Sequence, residues 1–208
     1  MADPQTAPIM KVGLVADTHI PDRAYELHPG LLPALRAAGV QMILHAGDVS
    51  RQPVLDQLRE VAPVEAVRGN RDWGLGQEFH LVDRMDLAGV SVALMHGHGG
   101  WMHYLIDKIF YIRDGYRFER YLPLLRRAAQ GAKVIVFGHT HRVQCVWIDG
   151  QLIFNPGSAS FGYRRVSNPS WGLLSIFPGG NVKGEVFELR GYQLQGKIWK
   201  TKKFLRAP

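Results

Sequence analysis

Two histidines separated by one residue close the apolar run Val134-Ile135-Val136-Phe137-Gly138-His139-Thr140-His141. Residues i and i+2 of a β-strand point to one side. Extended geometry carried through Thr140 therefore predicts that His139 and His141 project together from a strand end. Two neutral imidazoles placed there suit a divalent ion of the manganese, iron, nickel or zinc type. Alone, a His-x-His is more simply a pair of surface histidines in a turn; recurrence at other strand ends changes that reading. Asp17-Thr18-His19 repeats the spacing with a carboxylate and an imidazole directly after Lys11-Val12-Gly13-Leu14-Val15-Ala16. Gly47-Asp48 follows the apolar run 41–46, Gly69-Asn70-Arg71-Asp72 follows 64–67, and His96-Gly97-His98 follows 91–95.

Each cluster has an ordinary explanation when taken singly. Asp17 could be a helix N-cap, although Pro21 close behind argues against an immediate helix. Gly69-Asn70 is first a turn signal, and His98 could be a surface histidine beside a glycine turn. His45 sits inside an apolar run and is read as a hydrogen-bonded core histidine. Taken together, Asp17, His19, Asp48, Asn70, His96, His139 and His141 offer two carboxylates, one amide oxygen and four imidazoles. That is too many donors for one tetrahedral structural zinc. It suits two ions bridged by a carboxylate, which at a separation of about 3.5–4 Å can clamp the attacking and leaving oxygens of a displacement at phosphorus and deprotonate a bridging water.

The elements that must carry these residues follow from periodicity. Segments 11–16, 41–46, 64–67, 81–87, 91–95 and 134–137 read as strands. Leucines 31, 32 and 35 with alanines 34, 37 and 38 form a helical stripe stopped by Gly39, and positions 54, 55, 58 and 61 form a second. Trp101 to Gln130 reads as two helices divided at Gly115, with its aromatics packing on the body or on a neighbouring subunit rather than stacking on bases. Beyond His141 the chain turns to hairpins, 143–148 with 152–154 across Asp149-Gly150, then 171–177 with 182–189. This βαβα order, followed by a helical insert and hairpins, predicts mixed sheets packed face to face with helices outside. No fixed-period repeat is visible.

The 208 residues are 46% hydrophobic and 21% charged, enough for one full core in a soluble chain. The expected division is a disordered tail over 1–9, one domain over 10–190 and a basic extension over 191–208. Met1 to Pro8 lacks an apolar core and is read as neither signal peptide nor membrane span. Cys145 is the single cysteine, which excludes an intramolecular disulfide framework and fits a reducing, cytoplasmic setting. A buried strand position suits it better than a reactive role. The formal charge of +7 concentrates phosphate-bearing ligands. Lys197, Lys200, Lys202, Lys203 and Arg206 are read as a solvated tail, with nucleic-acid contact the less common reading.

Across Lys11 to Leu189 the motif series Asp17-Thr18-His19, Gly47-Asp48, Gly69-Asn70-Arg71-Asp72, His96-Gly97-His98 and Gly138-His139-Thr140-His141 resembles the calcineurin-like metallophosphoesterase family. It is most similar to the small bacterial and archaeal phosphodiesterase branch, in which a hairpin leads to an Asn-Pro-Gly-Ser turn, here Asn155 to Ser158. The resemblance implies a four-layer α/β/β/α sandwich of two mixed sheets. It implies that Asp17, His19, Asp48 and His141 hold one ion and Asp48, Asn70, His96 and His139 the other, with Asp48 bridging. Manganese is the first expectation for both, with nickel, iron, zinc and magnesium as alternatives. Asn70 would also touch a phosphate oxygen.

Arg71 departs from the family pattern, which carries histidine or, in this branch, cysteine at that place. An arginine cannot act as a general acid near neutral pH, but its fork can hold a phosphate oxygen. His98 is the available substitute as leaving-group acid. Arg164 and Arg165 are further phosphate contacts or, more simply, exposed loop arginines. The expected activity is metal-dependent hydrolysis of a small phosphate ester or nucleotide by a phosphodiesterase, with no membrane partner; a homo-oligomer is compatible with the sequence but not specified by it. One alternative is an interaction scaffold like the retromer subunit that resembles this family with a degraded metal site. The other is a metal-dependent nuclease, ranked lower because no additional nucleic-acid-binding domain is evident.

Overall fold

The computed structural model describes residues 7–73, 75, 79–161 and 167–202, with the backbone alone at 101, 103, 104 and 107. Strand β1 (Met10–Val15), helix α1 (Leu31–Ala38), β2 (Met42–His45), α2 (Gln52–Arg59) and β3 (Val64–Ala66) come first. They are followed by β4 (Val82–Leu87), β5 (Val90–Met95), α3 (Trp101–Asp114), α4 (Leu122–Ala129) and β6 (Val134–Phe137). The remainder is strand: β7 (Gln144–Ile148), β8 (Gln151–Asn155), β9 (Ser170–Ile176), β10 (Val182–Glu188), β11 (Tyr192–Gln195) and β12 (Ile198–Thr201).

One sheet runs β10-β9-β1-β2-β3 and the other β4-β5-β6-β8-β7. In the first, β1, β2 and β3 are parallel; in the second, β5, β6 and β8 are parallel. Side-chain alternation then sorts the core into three apolar layers. Val12, Leu14, Leu44, Val92, Leu94, Val134, Val136, Leu152 and Phe154 meet between the sheets. Val15 and Ile43 face Leu31 and Leu35 of α1 and Leu55 and Leu58 of α2. Ala93, Met95, Ile135 and Phe137 face Leu125 and Ala129 of α4. These layers make the expected α/β/β/α sandwich. Among the described residues no helix is long and apolar enough to cross a membrane.

Gly39 ends α1 in the left-handed conformation with φ of 67°, and Gly115 ends α3 with φ of 72° in an extended conformation, both positive-φ backbones that glycine adopts at least cost. His45 is fully buried, with Nε2 3.2 Å from Thr18 Oγ1, as expected of a core histidine. Cys145 lies on a strand and packs against the layer between the sheets, half-buried rather than fully buried.

Two expectations are corrected. Extended geometry stops at Phe137, and Gly138 to His141 leave the sheet as a loop. The basic run after Gly191 is no solvated tail as far as Thr201, because β11 and β12 pair as a hairpin across Gly196-Lys197. Trp199 Nε1 donates to Glu26 O at 2.9 Å, and the rings of Tyr192 and Trp199 pack edge-on against buried His28. The lysines ride on an alternating apolar and polar hairpin whose pattern their charge obscures. Arg164 and Arg165 lie outside the described residues.

Phe154 locks the two sheets. It is fully buried, and its ring fills the space left by glycines of the facing strands. A Cβ at Gly172 would lie 2.8 Å from Phe154 Cζ, and one at Gly184 2.8 Å from Phe154 Cε1. Phe154→Ala is expected to lower the unfolding free energy by about 3–5 kcal/mol through loss of burial and a residual cavity. Gly172→Ala should lower it by about 1–3 kcal/mol through overpacking. Urea denaturation checks both, as a lower midpoint at unchanged slope.

Candidate metal centre

The strands that precede the predicted donors end along one edge of the sandwich. Asp17 and His19 follow β1, Asp48 follows β2, Asn70 follows β3, His96 follows β5, and His139 and His141 follow β6. Parallel strands put all their carboxyl ends on one side, where α/β sheets place their ligands. Face-to-face packing brings the carboxyl edges of the two sheets together. Gly138 N donates to His96 O at 3.2 Å, and His96 Nδ1 lies 2.7 Å from Ala46 O across the sheet boundary.

All seven predicted donors converge there, in two groups that share Asp48. His19 Nε2 is 2.9 Å from His141 Nε2, 3.7 Å from Asp48 Oδ2 and 3.9 Å from Asp17 Oδ1. His141 Nε2 is 3.6 Å from Asp17 Oδ1. In the second group His96 Nε2 is 3.5 Å from Asp48 Oδ1 and 3.0 Å from Asn70 Oδ1, which is itself 3.0 Å from His139 Nδ1. One oxygen of Asp48 thus faces each group. His139 and His141 belong to different groups, so their spacing works through the loop and not through strand alternation.

The loop conformations are unusual. Nine described non-glycine residues have positive φ, and five of them are Asp17, His19, Asp48, His139 and His141, at 48° to 68°. Such backbones cost on the order of 1–3 kcal/mol each and persist where the surroundings over-determine them. Asp and His are among the side chains that tolerate them best.

Buried polar groups supply the determination. Asp72, 1% exposed, accepts the backbone N–H of Asp48 at 2.9 Å, of Ser50 at 2.6 Å and of Gly69 at 2.7 Å. It ties the loops after β2 and β3 together, and a Cβ at Gly69 would collide with Asp48 N and Oδ1. Asn155 donates to Gly138 O at 2.7 Å and Thr140 Oγ1 at 3.1 Å, and accepts from Gly157 N at 2.9 Å. Ser158 and Ser160 donate to Asp17 O at 2.7 and 3.1 Å.

The electrostatics suit a cation. Burial pushes the Asp17 carboxyl well above the usual range, and Asp17 Oδ2 and His19 Nδ1 are buried without a hydrogen-bond partner among the described residues. Burial also raises Asp48, but the His96 and His19 imidazoles and the Arg71 N–H outweigh it and hold the carboxyl below its ordinary range. Burial pushes His19 to about 3 and His141 to about 4, against the pull of Asp48. His96 is the exception: burial is outweighed by Asp48 and Asp17, which raise it to about 9. Nδ1 of His96 and of His141 face carbonyls of Ala46 and Phe161, at 2.7 and 3.3 Å. A proton held on those atoms leaves Nε2 as the donor atom. Among the described residues, Asp17, His19 and His141 form one set with ligand atoms close enough to hold an ion, and Asp17, Asp48 and His96 another. Asp17 is common to these tightest sets, while Asp48 reaches both groups through its two oxygens, 3.7 Å from His19 and 3.5 Å from His96.

The donors open into a cavity of about 400 Å³. Arg71 lines it, with Nη1 3.3 Å from Asp22 Oδ2 and its backbone N–H donating to Asp48 Oδ1 at 2.8 Å. Arg142 also lines it, its guanidinium 4.1 Å over the Tyr116 ring, as does Arg23, 5.5 Å over Phe161. Lys108, Tyr111 and Tyr121 complete the wall contributed by the insert. His98 does not line the cavity; its ring lies 5.4 Å from that of His96, and burial pushes its imidazole down to about 4. Asp72, Arg23, Arg142 and Tyr116 were not singled out from sequence. Asp72 had the one available signal, a carboxylate inside a Gly-Asn turn motif.

The calcineurin-like phosphoesterase superfamily domain is matched over residues 10–176, which includes every donor described. The chain belongs to the calcineurin-like phosphoesterase family. A probable metallophosphoesterase of Methanothermobacter thermautotrophicus is 35% identical over 167 residues, covering 80% of this chain and 86% of the relative. The zinc complex of Vps29 from Entamoeba histolytica superposes with a TM-score of 0.63 at 25% identity, covering 86% of this chain and 99% of that one. An archaeal phosphodiesterase shares the fold with a TM-score of 0.52 at 21% identity, over 86% of this chain and all of its own. Phosphoesterases of this family bind divalent metals, and the donors described are candidate ligands.

Asp72 tests how far the metallophosphoesterase site depends on its frame. Asp72→Ala leaves three backbone N–H groups without their acceptor while all seven donors remain. Metal affinity measured by isothermal titration calorimetry should fall by about 10–100-fold, as for other residues that orient ligands.

Proposed function

We propose that the chain is a dinuclear metal-dependent phosphodiesterase of a small phosphate ester or nucleotide. The observation that carries this reading is the division of seven donors into two groups about one shared carboxylate, at the floor of a cation-lined cavity. Asp17, His19, Asp48 and His141 hold one ion, and Asp48, Asn70, His96 and His139 the other. Imidazole and carboxylate donors suit manganese first, with nickel, iron, zinc or magnesium as alternatives. Bound ions supply Lewis acidity to a phosphoryl oxygen and activate water.

The chain's own residues bind and orient the ester. Asn70 would touch a phosphate oxygen, and the guanidinium groups of Arg71 and Arg142, which line the cavity, can hold the anion as it enters. Arg71 cannot protonate a leaving group, and His98 stands off the cavity wall. Leaving groups that depart without a proton are therefore favoured. A scaffold role is the second reading, supported by the likeness to Vps29. Because a Vps29 was itself crystallised with zinc, metal binding does not separate the readings, whereas turnover does. The cavity's modest volume favours a small ester over a nucleic acid, and the lone cysteine favours a cytoplasmic setting.

Hydrolysis of bis(p-nitrophenyl) phosphate should require added metal and vanish on chelation, and metal analysis should find two ions per chain. Asp48→Ala should lower kcat by orders of magnitude, more than loss of any other single donor, because it removes the ligand common to both ions. Undiminished turnover after exhaustive chelation would refute the proposal.

Arg71→Ala should mainly raise KM, since a phosphate contact held in ground and transition states contributes uniform binding. Arg71→His should improve turnover of alkyl diesters, whose leaving groups need a proton. His98→Ala should leave the ratio of alkyl to nitrophenyl turnover unchanged. A selective loss of alkyl turnover in His98→Ala would restore His98 as the acid.

A further inference from the structure

Helix α3 carries its apolar stripe on the wrong side for a helix that only covers its own domain. Met102, Leu105, Ile106, Ile109 and Ile112 are exposed by 69, 40, 46, 66 and 84%. Tyr111, on the side away from the stripe, lines the cavity wall, as does Lys108 at the edge of the stripe. A surface helix ordinarily buries its stripe and shows water its charges; here the stripe faces solvent.

The spacing of the stripe indicates what covers it. Met102 and Ile109 are seven residues apart, as are Leu105 and Ile112, with three and four residues alternating between them. That is the a and d pattern of a seam that packs against another helix. Charge and area both point to a second copy of this chain. The chain carries a formal charge of +7, so two copies repel in general. Beside the stripe, however, the Arg113 cation is already paired with Asp114 at 2.9 Å, so this surface can meet itself without opposing two unpaired arginines. Five side chains exposed to this extent present on the order of 500 Å² of apolar surface, near the upper limit for a monomer. It also matches the roughly three-fifths apolar share of the about 800 Å² that each partner buries in a standard interface.

We propose that α3 is the dimerisation element, its outward stripe packing against α3 of a second copy. The inference does not depend on what the metal centre hydrolyses. Light scattering and sedimentation velocity of the full chain across the micromolar range should give twice the mass of one chain, falling towards one on dilution. Ile109→Glu should halve the mass at the same concentration with an unchanged circular dichroism spectrum, and Ile112→Lys should do the same. Ile109→Val should remain dimeric. A single-chain mass throughout the range would overturn the proposal. So would a dimer that survives both charged substitutions, which places the interface elsewhere. Monomers that sediment with phosphatidylglycerol vesicles, and lose that property in Ile109→Glu, would likewise overturn it by assigning the stripe to a lipid surface.

Discussion

The Asp48 carboxylate is the fixed point of this molecule. Its two oxygens face two different clusters of imidazoles, at 3.7 Å from His19 and 3.5 Å from His96. Its backbone N–H is held by Asp72, and its Oδ1 accepts the N–H of Arg71. A carboxylate this buried is tolerated because the His96 and His19 imidazoles and the Arg71 N–H outweigh both its burial and the repulsion of the neighbouring Asp17 and Asp72 carboxylates. The five loops at the sandwich edge are arranged so that this condition holds. The sheets in turn must pack face to face, with the carboxyl ends of β1, β2, β3, β5 and β6 together. Phe154, seated on Gly172 and Gly184, helps set that sheet-to-sheet distance.

Much of this was legible from the sequence because two signals agreed. Apolar runs such as 41–46 and 134–137 marked buried strands, and each metal-competent residue stood within a few positions of a run's end. Position on a strand end is a local property, and the parallel topology turns it into convergence. The seven donors could therefore be gathered without knowing any contact between them. The mixed sheets with outer helices also followed from element order, and their three apolar layers from alternation within strands.

Where the reading failed, the determining interaction was distant in sequence or masked by a stronger local cue. The positive φ of His139 and His141 depends on Asn155 gripping Gly138 and Thr140, which no window around 139 contains. Asp72 looked like part of a turn, and only the fold places three N–H groups from two loops against it. In 191–202 the lysines suggested a tail, while Gly196 at the turn and Leu194, Ile198 and Trp199 on the strands carried the hairpin. Arg142 and Tyr116 lie twenty-six positions apart in the sequence and meet only because α3 and α4 fold back over the cavity.

The frame of Asp72, Asn155, Ser158 and Ser160 has a consequence for how the site tolerates change. These groups act chiefly on the backbone of the donor loops, not on the imidazoles and carboxylates that the loops present. Asp72 alone holds the backbone at positions 48, 50 and 69. A single donor side chain can therefore be exchanged while its loop is still held, whereas losing one frame residue frees several loop positions together. The frame, which would touch neither ion nor ester, is the less replaceable half of the site.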